Sequence, residues 1–432
     1  MKADACVVGA GPGGVAAATT LARNGYEVLL IDKACFPRDK CCGDGLTTLA
    51  LHELESLGLQ PAAVDSWNWI TDVKIRTPSG RDVVFSLPRR TGYFAATAKR
   101  LELDDCLLSI ARGSGVHVLT EHSVVGATKE SKRLDLTVKG REAKTLTIQS
   151  QWVIAADGAW SPLAKFLGVF PRDYRGEWQA FRQYLAPSQV QATSSTVWFE
   201  RELLPGYSWS FPLSDGTVNF GFGIGTSSRN ATNISAREMF ASLLDRTGIG
   251  DSRGVSTAPR GWIIPARLRN ACAWAHSALF VGDAAGAADP MTGEGIGQAL
   301  VGGRIAAESI IEAKEEAGAV YSQRLRREFL AAFEVSILLR RALRHRKGVR
   351  IPIRLFGSSM LTRQFFALWL FEAYPRELFL GTRALKSLRR PEAAYSKLAS
   401  KQHSVCGSDL PTLDIQRSEC GEAKPRKVVP RG

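Results

Sequence analysis

No two cysteines stand in a CxxC spacing, and the six histidines, His52, His117, His122, His276, His345 and His403, are scattered. A zinc site of the common kinds is therefore not expected, and no metal is assigned. The eight cysteines run from Cys6 to Cys420 without a disulfide-type pattern, which fits a reduced, cytoplasmic setting. Met1-Lys2-Ala3-Asp4 leads straight into a strand pattern, with no apolar core of signal type, so secretion is not expected. No stretch reaches the roughly 18–20 uninterrupted apolar residues of a spanning helix. A peripheral place on the inner face of a membrane stays open. Internal repeats are absent. A formal charge of +14 raises the question of a polyanionic partner, but no recognised nucleic-acid-binding module accompanies it. The excess is also local: between Arg340 and Arg390, 13 Lys/Arg face only Glu372 and Glu377.

What is present is a chain of 432 residues, 45% hydrophobic, long enough for two or three domain-sized units. Its first strong signal is ACVVGAGPGGVAAATTLARNGYEVLLIDK. Cys6 to Val8 read as a buried strand, Gly9-x-Gly11-x-x-Gly14 as a tight turn, Val15 to Arg23 as a helix, and Tyr26 to Ile31 as a strand ending at Asp32. Glycines are needed there because the backbone must approach a pyrophosphate, whose charge sits on the amides at the helix start. Asp32 can take the ribose hydroxyls. The bland reading is a helix-packing turn; strand, helix and terminal acid together favour a dinucleotide site.

Further along, residues 72–87 read as a hairpin around Pro78-Ser79-Gly80, and 100–112 as a helix. Strands are expected near 115–120, 133–138, 145–155, 178–186, 195–201, 206–212 and 217–224. Residues 325–390 read as mostly helical. The fold class is α/β: a Rossmann-like dinucleotide-binding domain with a β-sheet substrate domain and a C-terminal helical segment. The expected division gives 1–60, 98–165 and 258–325 to the first, 61–97 and 166–257 to the second, and 326–395 to the helical region, with a disordered tail over 396–432.

The identification of the nucleotide as FAD comes from resemblance. Gly9-x-Gly11-x-x-Gly14, Asp157-Gly158 followed by Ser161, and Gly282-Asp283 resemble flavoproteins of the p-hydroxybenzoate hydroxylase type. CCGDGL at 41–46, YSWSFP at 207–212 and DPMTGEGI at 289–296 are similar to motifs of the geranylgeranyl reductase family within it. The resemblance implies that Asp283 binds the ribityl chain, that Arg100 contacts the cofactor, and that Pro290 to Ile296, with Gly293 and Gly295, lie along the isoalloxazine. The helix beginning there would also offer its positive end to reduced flavin, worth about 0.3–2 kcal/mol. Cys42 is placed near the chemistry by its motif alone, since a buried cysteine is otherwise inert packing. The proton source is unassigned: none of the histidines sits in a motif, and Tyr207 and a held water are the candidates. The electron donor, NAD(P)H or a ferredoxin-like partner, is unassigned: there is no second GxGxxG.

YSWSFP raises a question of its own. On a strand, Tyr207, Trp209 and Phe211 share one side. A two-residue Asp215-Gly216 turn would set Phe211 against Phe220, Trp209 against Phe222 and Tyr207 against Ile224, a continuous aromatic wall. Slipping by one would instead lay the rings over Gly221 and Gly223. The wall is the expectation, with Phe211, Phe220 and Phe222 as substrate-lining residues beside Tyr207 and Trp209. Periodicity alone reads such a wall as core; the resemblance turns it toward a polyprenyl chain, bound by burial at about 0.8 kcal/mol per methylene. The activity implied is saturation of isolated C=C bonds in a prenyl lipid such as a menaquinone. The rival is an FAD monooxygenase acting on an aromatic or polyketide-like substrate. The arginines from 340 to 390, mixed with Phe365, Phe366, Trp369, Phe371 and Phe379, read either as a solvated helical cap or as a surface for anionic lipid.

Overall fold

The computed structural model describes all residues except 90–91, 132, 142–143, 188–193, 227, 229–234, 251–258, 374–390 and 399–432. The apolar run VLLI forms the strand Val28–Ile31, buried along its whole length. Such runs suit a parallel sheet covered on both faces. Five strands run parallel here in the order Ala278–Phe280, Thr145–Ala155, Lys2–Val8, Val28–Ile31 and His117–Leu119, within an eight-stranded sheet. The first helix, Pro12–Arg23, starts on Pro12, earlier than its apolar pattern indicated. Proline suits that position because its missing N–H is an orphan there anyway.

This helix crosses Ile296–Ala313 where both carry glycine. A Cβ on Gly303 would overlap the Gly13 carbonyl, and one on Gly13 would stand 2.8 Å from the Ala299 carbonyl oxygen. The crossing brings the start of both helices to the carboxyl ends of the parallel strands, the edge at which open α/β sheets bind ligands.

A second sheet of seven strands runs in the order Arg260–Ile264, Trp178–Leu185, Val218–Gly225, Tyr207–Pro212, Ser195–Trp198, Asp72–Arg76 and Asp82–Ser86. All its pairings are antiparallel except Ser195–Trp198 with Asp72–Arg76. One face is covered by Ala236–Thr247, a helix not anticipated from the sequence although its signals were present. Ser235 and Glu238 form a reciprocal capping box, and Met239, Phe240, Leu243 and Leu244 repeat at helical spacing.

The helices Ala317–Leu343, Arg346–Phe356 and Met360–Leu370 occupy the stretch expected to be helical, up to residue 370. Val349, Ile353, Ala367 and Leu368 close over Val73, Ile75, Val83 and Phe85 at the edge of the second sheet. The remaining basic residues of that stretch and Phe379 lie outside the described residues. At the expected start of the tail, Tyr395 is buried, donating its hydroxyl to the Leu59 carbonyl, and 396–398 form a helical turn. The tail from 399 on lies outside the described residues.

Candidate active site

A cavity of about 780 Å³ opens between the two sheets, within the range of small-molecule and cofactor sites. One end is made by backbone. Gly9 has φ +104°, and a Cβ on it would overlap the Ala156 carbonyl; a Cβ on Gly14 would overlap the Gly9 carbonyl. Gly11 caps the first helix without any side-chain hydrogen bond, so the amides at that helix start keep no side-chain acceptor. Asp32, at the end of its strand, accepts from the amides of Ala10 and Ala34, each at 2.8 Å, and lines the cavity. Turn, open helix start and acid together make a cradle that fits a dinucleotide.

Asp157 and Asp283 line the same cavity, as do Gly282, Gly293, Gly295 and Ile296. Asp157 accepts from the Leu163 amide at 3.0 Å through one oxygen, while the other is buried without a partner. Burial pushes this carboxyl up to about 6. Asp283 faces Lys40 at 3.4 Å. Arg100 is held by both Asp104 oxygens at 2.7 Å, and Asp104 also takes Arg38 at 3.0 Å. Pro290 does not line the cavity; its carbonyl accepts the Trp178 indole N–H at 3.0 Å.

The opposite end is made by rings, in a register that differs from expectation. Tyr207 pairs with Gly223, Trp209 with Gly221 and Phe211 with Asn219. The cause is the turn: the Leu213 amide bonds the Thr217 carbonyl at 2.9 Å, enclosing three residues, with Gly216 at φ +78°. Such a loop ends on a left-handed glycine and shifts the pairing by one relative to a two-residue turn. Phe220 and Phe222 consequently point to the other face, fully buried against Phe240, and do not line the cavity. Tyr207, Trp209 and Phe211 do, with centroids 6.0 and 6.4 Å apart. Trp209 lies over Gly221, where a Cβ would overlap its ring. Gly221 and Gly223 give the indole its bed.

The loop carrying Cys42 lies across these rings. The Cβ position of Gly43 is 3.5 Å from Trp209, and that of Gly45 is 3.8 Å from Phe211. Asn219 ties the parts together: its oxygen accepts the Trp209 indole N–H at 3.0 Å, and its amide donates to the Cys42 carbonyl at 2.9 Å and to Asp44 at 2.8 Å. The Tyr184 hydroxyl also donates to Asp44 at 2.5 Å. Burial nonetheless pushes the Asp44 carboxyl up to about 6 and the Cys42 thiol up to about 11, so Cys42 is a neutral thiol at physiological pH. Sequence reasoning passed over Asn219, Asp44 and Tyr184. A lone asparagine in an otherwise apolar and glycine-bearing strand was the available signal.

The glycine-rich loop before Ile296–Ala313 is pinned by Asp289, which accepts from the Met291 and Thr292 amides and, through its other oxygen, from Ser336 at 2.6 Å. The Tyr207 hydroxyl donates to the Thr292 carbonyl, joining ring wall and loop. The amides of Ile296 and Gly297 are not free for a flavin: both donate to Glu294, at 3.0 and 3.4 Å. The positive end of that helix therefore faces the cavity through a carboxyl group. Among the described residues no cluster suited to a metal ion occurs, and no helix is long and apolar enough to cross a membrane.

With this geometry in place, the comparisons are specific. The FAD binding domain family matches residues 2–318. The menaquinone reductase of Mycobacterium tuberculosis is 34% identical over 364 residues, covering 78% of this chain and 84% of its own length. Digeranylgeranylglycerophospholipid reductase 2 of Methanopyrus kandleri is 30% identical over 325 residues, covering 73% of this chain and 78% of its own. In fold, the crystal structure of a geranylgeranyl bacteriochlorophyll reductase-like protein from Thermoplasma acidophilum superposes with a TM-score of 0.74 at 20% identity, covering 88% of this chain and 98% of its own. The chain belongs to the FAD-binding domain family and, within it, to the geranylgeranyl reductase group of FAD-dependent oxidoreductases.

Proposed function

We propose that this oxidoreductase saturates an isolated C=C bond in the polyprenyl chain of a lipid, with a menaquinone-type tail as the first candidate. The observation that carries the reading is that Tyr207, Trp209 and Phe211 line one cavity with Gly9, Gly11 and Asp32. Menaquinone and digeranylgeranylglycerophospholipid, after which the two relatives are named, both carry isoprenoid chains. In this reading the open helix start at Gly11 holds the FAD pyrophosphate, Asp32 the ribose, Asp283 the ribityl chain, and Arg100 and Asp157 border the cofactor. FAD supplies hydride when bound and reduced. The chain's own residues do the rest: the three rings bury the prenyl segment, the Cys42 loop keeps water from it, and Asn219 holds ring and loop in one geometry. An isolated alkene has no carbonyl to polarise, so placement and a proton are what the protein must add.

The lipid must leave a membrane to reach this cavity, and the C-terminal helices offer a surface for that. Met360 and Leu361 are 84% and 80% exposed, next to exposed Ile351 and Leu355, with Arg350 and Arg354 on the same helix as the latter pair. We assign this face to docking on anionic lipid, at about 1 kcal/mol per basic residue near the surface. Co-sedimentation with vesicles should rise with anionic lipid content; binding indifferent to that content removes the assignment.

Mass spectrometry of prenyl lipids from a host with and without the gene tests the main reading, since each bond saturated adds two hydrogens to the product. A monooxygenase would instead consume oxygen in step with product, whereas the reductase should work anaerobically with dithionite-reduced enzyme.

A further inference from the structure

Glu294 is a carboxyl group in the wall of the cavity, in the loop that also carries Thr292 and Gly293. One of its oxygens accepts from the Ile296 and Gly297 amides, and no ion pair to it is found among the described residues. Its charged neighbours have the wrong sign to hold a carboxylate. Glu372, just past the helix Met360–Leu370, and Asp289 in the same loop both act on it. Arg100, on the Cys42 side, is committed to Asp104. Burial first, and the Glu372 charge second, push the Glu294 carboxyl up to about 8. A simple helix cap would be an ordinary anion at an amide-rich end; this one keeps its proton at neutral pH. Glu372 is half-buried and accepts from Thr47 at 2.8 Å and Gln298 at 2.9 Å.

We propose that Glu294, in the wall of the cavity that Tyr207, Trp209 and Phe211 line, is the acid that delivers a proton to the alkene. The inference rests on the prenyl-reductase reading. The balance is complete: one alkene carbon takes hydride, with both electrons, from reduced FAD, and the other takes H⁺ as the Glu294 O–H bond breaks and a C–H bond forms. The Glu294 carboxylate left behind, only partly buried, is reprotonated from solvent. Cys42, near 11, is the weaker acid wherever Glu294, near 8, still holds its proton. The Tyr207 hydroxyl already donates to the Thr292 carbonyl. General acids of this kind contribute about 10²- to 10⁴-fold.

The test compares wild type, Glu294→Gln and Glu372→Gln with a menaquinone as substrate. E294Q should bind FAD and be reduced by dithionite as wild type is, yet form the menaquinone with a saturated tail bond about 10²- to 10⁴-fold more slowly. The wild-type rate should fall above about pH 8, and E372Q, which removes a like charge, should move that limb down by about one unit. A second readout needs neither cofactor nor turnover. In the infrared spectrum of FAD-free protein, a protonated-carboxyl C=O band should bleach near pH 8 and be missing from E294Q, separate from Asp44 and Asp157, which titrate near 6. An E294Q as fast as wild type, or the absence of a band titrating near pH 8, overturns the proton assignment alone. A wild-type enzyme that reduces no prenyl lipid overturns the reading beneath it as well.

Discussion

The two ends of the cavity are built by opposite means. At the nucleotide end the wall is backbone, and Gly9 and Gly14 matter for the side chains they lack. At the other end the wall is side chain, and Trp209 is held by Asn219 and bedded on Gly221. The first end tolerates no added atom; the second depends on atoms that must not be removed. A glycine at one end lets backbone meet backbone, whereas a glycine at the other admits a neighbouring ring.

The contrast can be broken in several ways, beginning with the largest effect. Gly14→Val puts side-chain atoms where the Gly9 carbonyl stands, so the purified protein should lack flavin absorbance and fail to regain it on reconstitution. Gly221→Ala should be nearly as damaging, because the new Cβ would overlap Trp209; in the two-residue-turn register the same change would be mild. Phe222→Ala and Phe211→Ala separate the two faces of the hairpin. F222A empties a packed core position and should cost about 3–5 kcal/mol in denaturant unfolding, with little change in KM for the lipid. F211A, on a half-buried cavity residue, should cost less stability but raise KM.

Asn219→Ala should cost about 1–3 kcal/mol, since it strands the buried Trp209 indole N–H and removes the donor to the Cys42 carbonyl, while Asp44 keeps its Tyr184 partner. It should also loosen the Cys42 loop, visible as faster amide exchange at 42–45. The smallest effect is one of pH. Asp44 and Asp157 titrate near 6 in the folded chain, above their unfolded value near 3.8, so the folded state binds more protons than the unfolded over that window. Stability of the FAD-free protein should therefore fall as pH rises from about 4 to 6, by up to ~1.4 kcal/mol per unit for each group. Asp44→Asn should remove one group's share of that slope, measured by urea unfolding at the two pH values.

The nucleotide end was legible because its chemistry is local. Strand, glycine turn, helix and acid fall within residues 6–32, and each spacing has a single physical meaning. The aromatic strand was legible as a strand but not as a wall. Its partner depended on one loop residue, Gly216, whose left-handed conformation turns a two-residue turn into a three-residue one. Glu294 was hidden for another reason. Within DPMTGEGI it reads as loop polarity; burial in the assembled site, and then the charge of Glu372, 78 positions later, push its carboxyl up.

By itself, the sequence determined the parallel sheet, the dinucleotide turn and the face shared by Tyr207, Trp209 and Phe211, because these follow from short-range periodicity and backbone sterics. Tertiary structure alone decided which glycines those rings rest on, which phenylalanines are core, and which carboxyl keeps its proton. Hairpin register is set by the conformation of a single turn residue, and a pKa by charges and burial contributed from distant parts of the chain; neither quantity is carried by local pattern.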